Sequence, residues 1–146
     1  MKRKSPLHEH LTKIPLFAAC SGDELRLISE KASTFTYPAG TMLAEEGSVG
    51  AEFMVLVDGT AEVSAGGKVL NELGPGDFFG EIALLDGGPR TATVKATTDV
   101  VAEVIDERDF RVLLYDVPSL SRKLLVGVAK RLRAANLALA SGAPES

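Results

Sequence analysis

Hydrophobic and polar positions divide the chain into three parts with different periods. In the first part, Leu25 and Ile28 recur at the spacing of one helical face. Ser21 and Glu24 precede them at the two ends of a capping box, in which each side chain can bond the other residue's main-chain amide. This pattern predicts a helix over residues 21–32.

From residue 34 to residue 106 the pattern changes to short β-prone runs separated by Gly, Pro and Asp. The runs cover residues 34–37, 41–44, 53–57, 60–64, 69–73, 91–96 and 100–105. Asp58-Gly59 and Gly66-Gly67 lie between neighbouring runs, as is typical of hairpin turns. The region is therefore predicted to be mainly β, an antiparallel jelly-roll barrel with helices on either side.

The helical period returns after residue 106. Phe110 and Leu113 predict a short helix that ends before Pro118, and a longer helix follows, with Asp116 or Ser119 as its expected N-cap. Along this last helix, apolar residues form a narrow seam: Leu125, Val128, Leu132, Ala135 and Leu139. The seam is suited either to pairing with a second copy across a two-fold axis, giving a homodimer, or to folding back onto the barrel.

Length and composition agree with one domain over residues 1–146. Its expected parts are N-terminal helices over 1–33, a barrel over 34–106 and C-terminal helices over 107–140. The 146 residues are 45% hydrophobic with a net charge of −4, which argues against a generally nucleic-acid-binding surface. A single cysteine, Cys20, indicates a reducing compartment. Neither a signal peptide nor a membrane-length apolar run is present, so a cytoplasmic location is expected.

The residue inventory argues against an enzyme. The only histidines are His8 and His10, near the N-terminus, so a Ser-His-Asp or Cys-His site is not expected. With no further histidine or cysteine ligands to complete a site, neither a metal nor a cofactor is predicted. Gly67-Lys68 is followed by valine, so no nucleoside triphosphate-binding loop is present.

Residues 76–94 carry the most informative chemistry. A helical turn over 81–85 interrupts the β region and follows Gly80, so main-chain amides at its start are open to an anion. Arg90 can return over those amides and clamp a phosphate. Glu81 would repel a phosphate and is better explained as the acceptor for a neutral hydroxyl group. Together these groups indicate a site for a sugar phosphate.

At these residues the chain resembles the cyclic nucleotide-binding domain family. Phe79-Gly-Glu-Ile-Ala-Leu84 followed by Arg90-Thr-Ala-Thr-Val94 is similar to that family's phosphate-binding cassette, and the resemblance continues through Gly59-Thr-Ala-Glu-Val63 to the C-terminal helices. It implies that Gly80, Ile82 and Ala83 offer amides to the cyclic phosphate, that Glu81 accepts from the ribose 2′-hydroxyl and that Arg90 neutralises the phosphate. The ligand-binding residues implied are Phe79, Gly80, Glu81, Ile82, Ala83, Arg90, Thr91, Ala92, Val63, Leu70, Leu73 and Asn136.

The function implied is a regulatory sensor that binds a 3′,5′-cyclic nucleotide and passes the signal to its C-terminal helices. cAMP is preferred and cGMP stays open, with Thr91 placed beside the phosphate and base. Arg131 and Asn136 are the polar candidates for a lid over the base. Leu84 matches the family's hydrophobic hook and is expected to capture Phe110 or Leu114.

Other interpretations remain beside this one. Glu81 and Arg90 can instead form a structural ion pair inside a nucleotide-independent protein-interaction module of the same fold. Phe78 and Phe79 are expected mainly to pack in the core. The five basic residues of the last helix can be a solvated face, or they can hold an acidic partner or a membrane surface. Because two helices take up the residues after the barrel, no DNA-reading helix-turn-helix is expected, and the downstream effector is unknown.

Overall fold

The computed structural model describes residues 2–4, 11–50 and 52–140. Within these ranges the chain forms nine strands: β1 Lys2–Lys4, β2 Ser33–Tyr37, β3 Met42–Ala44, β4 Glu52–Asp58, β5 Ala61–Ala65, β6 Lys68–Leu73, β7 Phe78–Phe79, β8 Thr93–Ala96 and β9 Val100–Asp106. The four α-helices are α1 Gly22–Lys31, α2 Glu81–Asp86, α3 Glu107–Asp116 and α4 Pro118–Ala140, and two 3₁₀ turns, Leu11–Lys13 and Pro15–Phe17, precede α1. The predicted class, mainly β with flanking helices, is confirmed.

The strands form two antiparallel sheets. One has the order β1-β2-β9-β4-β7 and the other the order β3-β8-β5-β6. Consecutive residues of β4 alternate between two hydrophobic clusters, as the two-residue period of a strand requires. Phe53 and Val55 lie in the cluster shared with the helices, while Met54 and Leu56 lie in the cluster between the sheets.

The two predicted hairpins have different outcomes. Gly66-Gly67 joins β5 to its antiparallel neighbour β6, as expected. Asp58-Gly59 does not form a hairpin, because β4 and β5 belong to different sheets. A Cβ on Gly59 would lie 2.2 Å from the carbonyl oxygen of Asp99, so this glycine allows a close approach of two main-chain segments where the chain crosses between sheets.

Helix α1 begins as predicted. The Ser21 hydroxyl accepts a hydrogen bond from the Glu24 amide at 3.2 Å, and the Glu24 carboxylate accepts one from the Ser21 amide at 2.8 Å. Leu25 and Ile28 face the helical cluster, where they pack with Phe110 and Leu113 of α3. This cluster also holds Leu84 of α2, so the interruption in the β region is tied to the helices on either side of it.

Helix α4 differs from the prediction in its cap and in the face that it buries. It begins at Pro118, a residue favoured in the first helical turn, so Ser119 lies inside the helix and Asp116 ends α3. Leu120 and Leu124 are its buried residues. Three members of the seam, Leu125, Leu132 and Leu139, are instead 61–68% exposed, so the seam does not fold back onto the barrel.

None of the described helices is long and apolar enough to cross a membrane. His8 and His10 lie outside the described residues. Within residues 2–4, 11–50 and 52–140, no three His, Cys, Asp or Glu side chains come together as a metal site would require.

Candidate functional site

Helix α2 interrupts the β region where the cassette motif lies. Gly80 precedes it in the left-handed region at φ 101°, and a Cβ there would lie 2.5 Å from the carbonyl oxygen of Glu52. Glycine therefore meets both the conformational and the steric requirement of this turn. The first amides of a helix have no intrahelical acceptor, so those of Glu81, Ile82 and Ala83 are open to a ligand.

Arg90 lies beside this turn and is only 8% exposed. Its Nη2 donates to the carbonyl oxygen of Glu52 at 2.8 Å. Its main chain is held as well, since its amide donates to Ser48 at 2.8 Å and its carbonyl accepts from Gly47 at 2.9 Å. Among the described residues Nη1 is buried without a hydrogen-bond partner, so this arginine has a donor available for an anion.

The charge on Arg90 is not fully compensated by its surroundings. Burial lowers the pKa of the Arg90 guanidinium, because removal from water disfavours the charged form. The nearby carboxylates of Glu52 and Glu81 act in the opposite direction and raise that pKa. A phosphate at Nη1 would add a further opposite charge and restore a partner to the buried cation.

Glu81 is 1% exposed, and its two oxygens have different environments. Oε1 accepts a hydrogen bond from Nη1 of Arg131 at 2.7 Å. Oε2 is buried and has no hydrogen-bond partner in the described part of the chain. The ion pair of Glu81 is therefore with Arg131 of α4, rather than with Arg90 as the interaction-module interpretation supposed.

Arg131 joins α4 to the cassette at more than one point. Its guanidinium carbon lies 4.3 Å from the centroid of the Phe78 ring, a cation–π contact, and its Nη2 donates to the Phe78 carbonyl. One helical turn earlier, a Cβ on Gly127 would lie 2.8 Å from Cζ of Phe78, so only glycine lets the helix come this close. Of the two lid candidates from the sequence, Arg131 is the one brought to the site.

Asn136, the other lid candidate, is exposed near the free end of α4. Five residues of α-helix turn it about 140° away from Arg131. It lies instead beside Leu132, Arg133 and Leu137 on the outer face of the helix. The structure does not bring Asn136 to the cassette.

The remaining cassette positions lie around the open amides with different exposures. Ile82 is 43% exposed and Ala83 is buried. Thr91 is exposed and Ala92 is half-buried. Phe79 is buried between the sheets, where β7 pairs it with Met54 of β4.

The three apolar positions expected beneath a base lie on β5 and β6. Leu73 is buried and Val63 is half-buried against the cluster between the sheets. Leu70 is 62% exposed, because β6 is the edge strand of its sheet and leaves one side unpaired. Two of these positions therefore belong to the barrel interior, and the third is exposed to solvent.

Leu84 connects the cassette to the C-terminal helices. It is 2% exposed and packs in the helical cluster with Phe53 and Phe110, with Leu114 against that cluster. Arg111 of α3 also reaches α2, with Nη2 3.4 Å from the carbonyl oxygen of Leu84. Both helices expected to move with Leu84 thus lie in contact with elements of the cassette.

Sequence reasoning missed the segment that holds Arg90. Ser48 and Glu52 contact this arginine through main-chain carbonyls, which every residue type carries, so no side-chain motif marks them. The clustered Gly47 and Gly50 were the available signal, since glycines near a predicted anion site often mark a close approach.

The site thus presents one unpaired carboxylate oxygen, on Glu81, and one unpaired guanidinium nitrogen, on Arg90. Buried polar atoms normally have partners, so two such atoms at the start of one short helix indicate a place for a ligand. A hydroxyl group suits the carboxylate and an anion suits the guanidinium.

Comparisons with known proteins agree with this chemistry. The family model described as "Cyclic nucleotide-binding domain" matches residues 34–116. The cAMP-dependent protein kinase regulatory subunit of Mycosarcoma maydis is 34% identical over 136 residues, which cover 89% of this chain and 25% of that protein. The chain spans 25–32% of the length of this relative and of the other curated relatives compared with it.

Solved structures are also similar to this chain. The Thermus thermophilus catabolite activator protein is similar with a TM-score of 0.77 at 30% identity, over 86% of this chain and 61% of that one. A structure of Sp-2Cl-cAMPS bound to PKAR CBD2 is similar with a TM-score of 0.75 at 27% identity, over 88% of each chain. Because the family model matches more than half of its residues and the Mycosarcoma maydis relative is 34% identical over 89% of it, the chain belongs to the cyclic nucleotide-binding domain family.

Proposed function

We propose that this chain is a regulatory sensor that binds a 3′,5′-cyclic nucleotide, with cAMP preferred over cGMP, and that it does not act as an enzyme. The observation that carries this proposal is the pair of buried atoms without partners, Oε2 of Glu81 and Nη1 of Arg90. A cyclic nucleotide offers a ribose 2′-hydroxyl to the first and a phosphate oxygen to the second. Both atoms would then gain the partners that buried polar groups require.

The phosphate is assigned to the start of α2. The amide of Gly80, which precedes the helix, and the amides of Ile82 and Ala83 in its first turn donate to it, and Arg90 supplies the charge. Gly80 has no side chain to block this approach. The exposed Thr91 lies next to Arg90 in the chain and is the candidate contact to phosphate and base.

The preference for cAMP rests on the relatives and on the apolar positions. The curated relatives are cAMP-dependent protein kinase regulatory subunits. Val63, Leu70 and Leu73 offer apolar surface rather than hydrogen-bond donors, which suits a purine face and does not single out guanine. Base preference is therefore tested most directly at Thr91.

Transmission is proposed to run through Glu81. Its Oε1 holds Arg131 of α4, while its Oε2 faces the position assigned to the ribose. Binding would therefore act on the same carboxylate that anchors the C-terminal helix. Leu84 provides the second connection, through the cluster that it shares with Phe110. For signalling, these contacts must differ in ligand affinity between two arrangements of α4.

A homodimer through α4 is the proposed assembly. Leu125, Leu132 and Leu139 recur every seven residues and are exposed. In a two-stranded coiled coil the flanking positions would include Ala129, Arg131, Asn136 and Ala138, of which only Arg131 is charged, and its charge is paired with Glu81. The seam can therefore pair with the same seam of a second copy of the chain.

The same exposed seam supports the second candidate function. A nucleotide-independent interaction module would use Leu125, Leu132 and Leu139 to bind another protein, with Glu81 kept only to anchor Arg131. Such a module would hold its α4 in place without any ligand. Titration with cyclic nucleotides distinguishes the sensor from the interaction module.

The decisive experiment is calorimetric titration of the chain, stripped of co-purified nucleotide, with cAMP and with cGMP. We expect binding with a dissociation constant of about 1 μM or tighter, about −8 kcal/mol, for cAMP, and weaker binding for cGMP. Arg90→Ala is expected to lose about 2–5 kcal/mol, because the phosphate loses its buried partner. Absence of heat and of any thermal shift with both nucleotides would instead favour the interaction module.

Two narrower variants test the assigned roles. If Glu81 accepts the ribose hydroxyl, the parent discriminates cAMP from 2′-deoxy-cAMP by about 10-fold or more, and Glu81→Ala, which has no group to bond that hydroxyl, largely loses that discrimination. Equal discrimination by both proteins would remove Glu81 from the ribose contact.

Thr91→Ala is expected to change the ratio of cGMP to cAMP affinity, and an unchanged ratio would show that Thr91 does not select the base.

A further inference from the structure

Gly50 lies against the side chain of Arg90. It is buried, and an ideal Cβ on it would lie 2.5 Å from Nε of Arg90 and 2.8 Å from both Cδ and Cζ. Separations under 3 Å between a Cβ and another heavy atom are essentially never found in proteins, so any side chain at position 50 requires the arginine to move. The guanidinium thus occupies space that only a glycine leaves open.

A second glycine bounds the guanidinium at its other end. A Cβ on Gly80 would lie 2.6 Å from Nη1 of Arg90, the nitrogen that has no partner among the described residues. Gly50 faces Nε and Cζ, while the carbonyl of Glu52 holds Nη2 at 2.8 Å. The guanidinium therefore lies in a slot between two glycines, with Nη2 fixed and Nη1 free.

The requirement at Gly50 is for space rather than for an unusual main-chain conformation. Gly50 does not have a positive φ, so alanine can adopt the same φ at this position. The three atoms nearest to that Cβ all belong to the Arg90 side chain, which can move. An alanine at position 50 would therefore displace the guanidinium more than it disturbs the fold.

We propose that Gly50 is a positioning residue for the anion site: by leaving its side-chain space empty, it sets the orientation of the Arg90 guanidinium so that Nη1 faces the start of α2. This inference deepens the proposed function and rests on it for its ligand. Gly47, Ser48 and Glu52, which hold Arg90 by its main chain and by Nη2, are accordingly part of the site.

The test is a double-mutant cycle of Gly50→Ala and Arg90→Ala on the full chain. In the parent background, Gly50→Ala is expected to weaken cAMP binding about 10- to 100-fold, the effect of misplacing one charge-assisted hydrogen bond. Discrimination against 2′-deoxy-cAMP should stay at the parent value, because the Glu81 contact is untouched. Gly74→Ala is the control, since its Cβ meets nothing within 4 Å and its φ is not positive.

The same four proteins of the double-mutant cycle are also compared by their melting temperatures in the absence of any nucleotide. Gly50→Ala is expected to lower the melting temperature in the parent and to have no further effect when Arg90 is already alanine. An equal loss in both backgrounds would overturn the inference, as would parent-like cAMP affinity of Gly50→Ala. A parent that binds neither nucleotide while the melting temperatures remain non-additive would overturn the proposed function and leave the steric relationship in place.

Discussion

Nη1 of Arg131 donates to Oε1 of Glu81 at 2.7 Å, and this hydrogen bond joins the long C-terminal helix to the first residue of the cassette helix. The two residues are 50 positions apart in the chain. The same arginine lies over the Phe78 ring, so the helix is held by a charge, a ring and a main-chain carbonyl at one point. Glu81 is therefore at once a candidate ligand contact and the anchor of α4.

Arg131→Ala should destabilise the ligand-free protein by about 1–3 kcal/mol in urea unfolding. The variant leaves the buried Glu81 carboxylate with no partner, although partial exposure of Arg131 lets solvent screen part of the loss. Amide hydrogen exchange in α4 should also become faster. Arg133→Ala is the matched control, because Arg133 is exposed on the same helix and makes no ion pair among the described residues. Equal stability of the two variants would contradict the anchoring role.

Leu84→Ala should separate the cassette from the helices. Leu84 is 2% exposed among Phe53 and Phe110, so its truncation is expected to lower the free energy of unfolding by about 2–5 kcal/mol. Leu85→Ala, at a neighbouring position that is 52% exposed, should change it little. We further expect Leu84→Ala to weaken the nucleotide-driven movement of α4, which can be measured with a distance probe placed on that helix. Normal binding with the same movement would exclude Leu84 as the hook.

The sequence predicted those elements of the fold that depend on residues close together in the chain. The capping box at Ser21 and Glu24 and the β-prone run over 53–57 located their elements to within a residue or two. Strand β7 has only two residues and owes its pairing to Met54 and Val55 far away in the chain, so no local pattern announces it. The same applies to the packed face of α4.

Helix α4 carries two apolar faces, and sequence alone does not choose between them. The seam has the more regular spacing, yet the packed face contains Leu120 and Leu124. The choice depends on Gly127 and Arg131, which fit Phe78 only once the barrel has formed. The cassette residues were predictable because their motif is local, whereas the main-chain contacts to Arg90 were not.

Cys20 is expected to react slowly in the native protein. Burial, assisted by the negative charge of Glu24, raises the pKa of its thiol from 9.0 to about 11. The thiolate is the reactive form, and raising the pKa by two units lowers its population about 100-fold at pH 8. Reaction with a chromogenic disulfide should accelerate about tenfold per pH unit up to pH 10. A native rate at pH 8 equal to that of the urea-unfolded chain would contradict the shifted pKa.

The final prediction concerns the exposed seam of α4. If the seam pairs with its own copy, the parent sediments at twice its 15.4 kDa chain mass, and Leu132→Asp sediments as a monomer. Burying a leucine contributes about 1.5–3 kcal/mol, so losing one from each chain weakens the dimer about 100-fold or more. Leu137→Asp is the control, because Leu137 is as exposed as Leu132, at 63% against 61%, but lies outside the seven-residue repeat. A monomeric parent, or equal weakening by both variants, would mean that the seam does not bind its own copy; the first result would leave it available to a different protein.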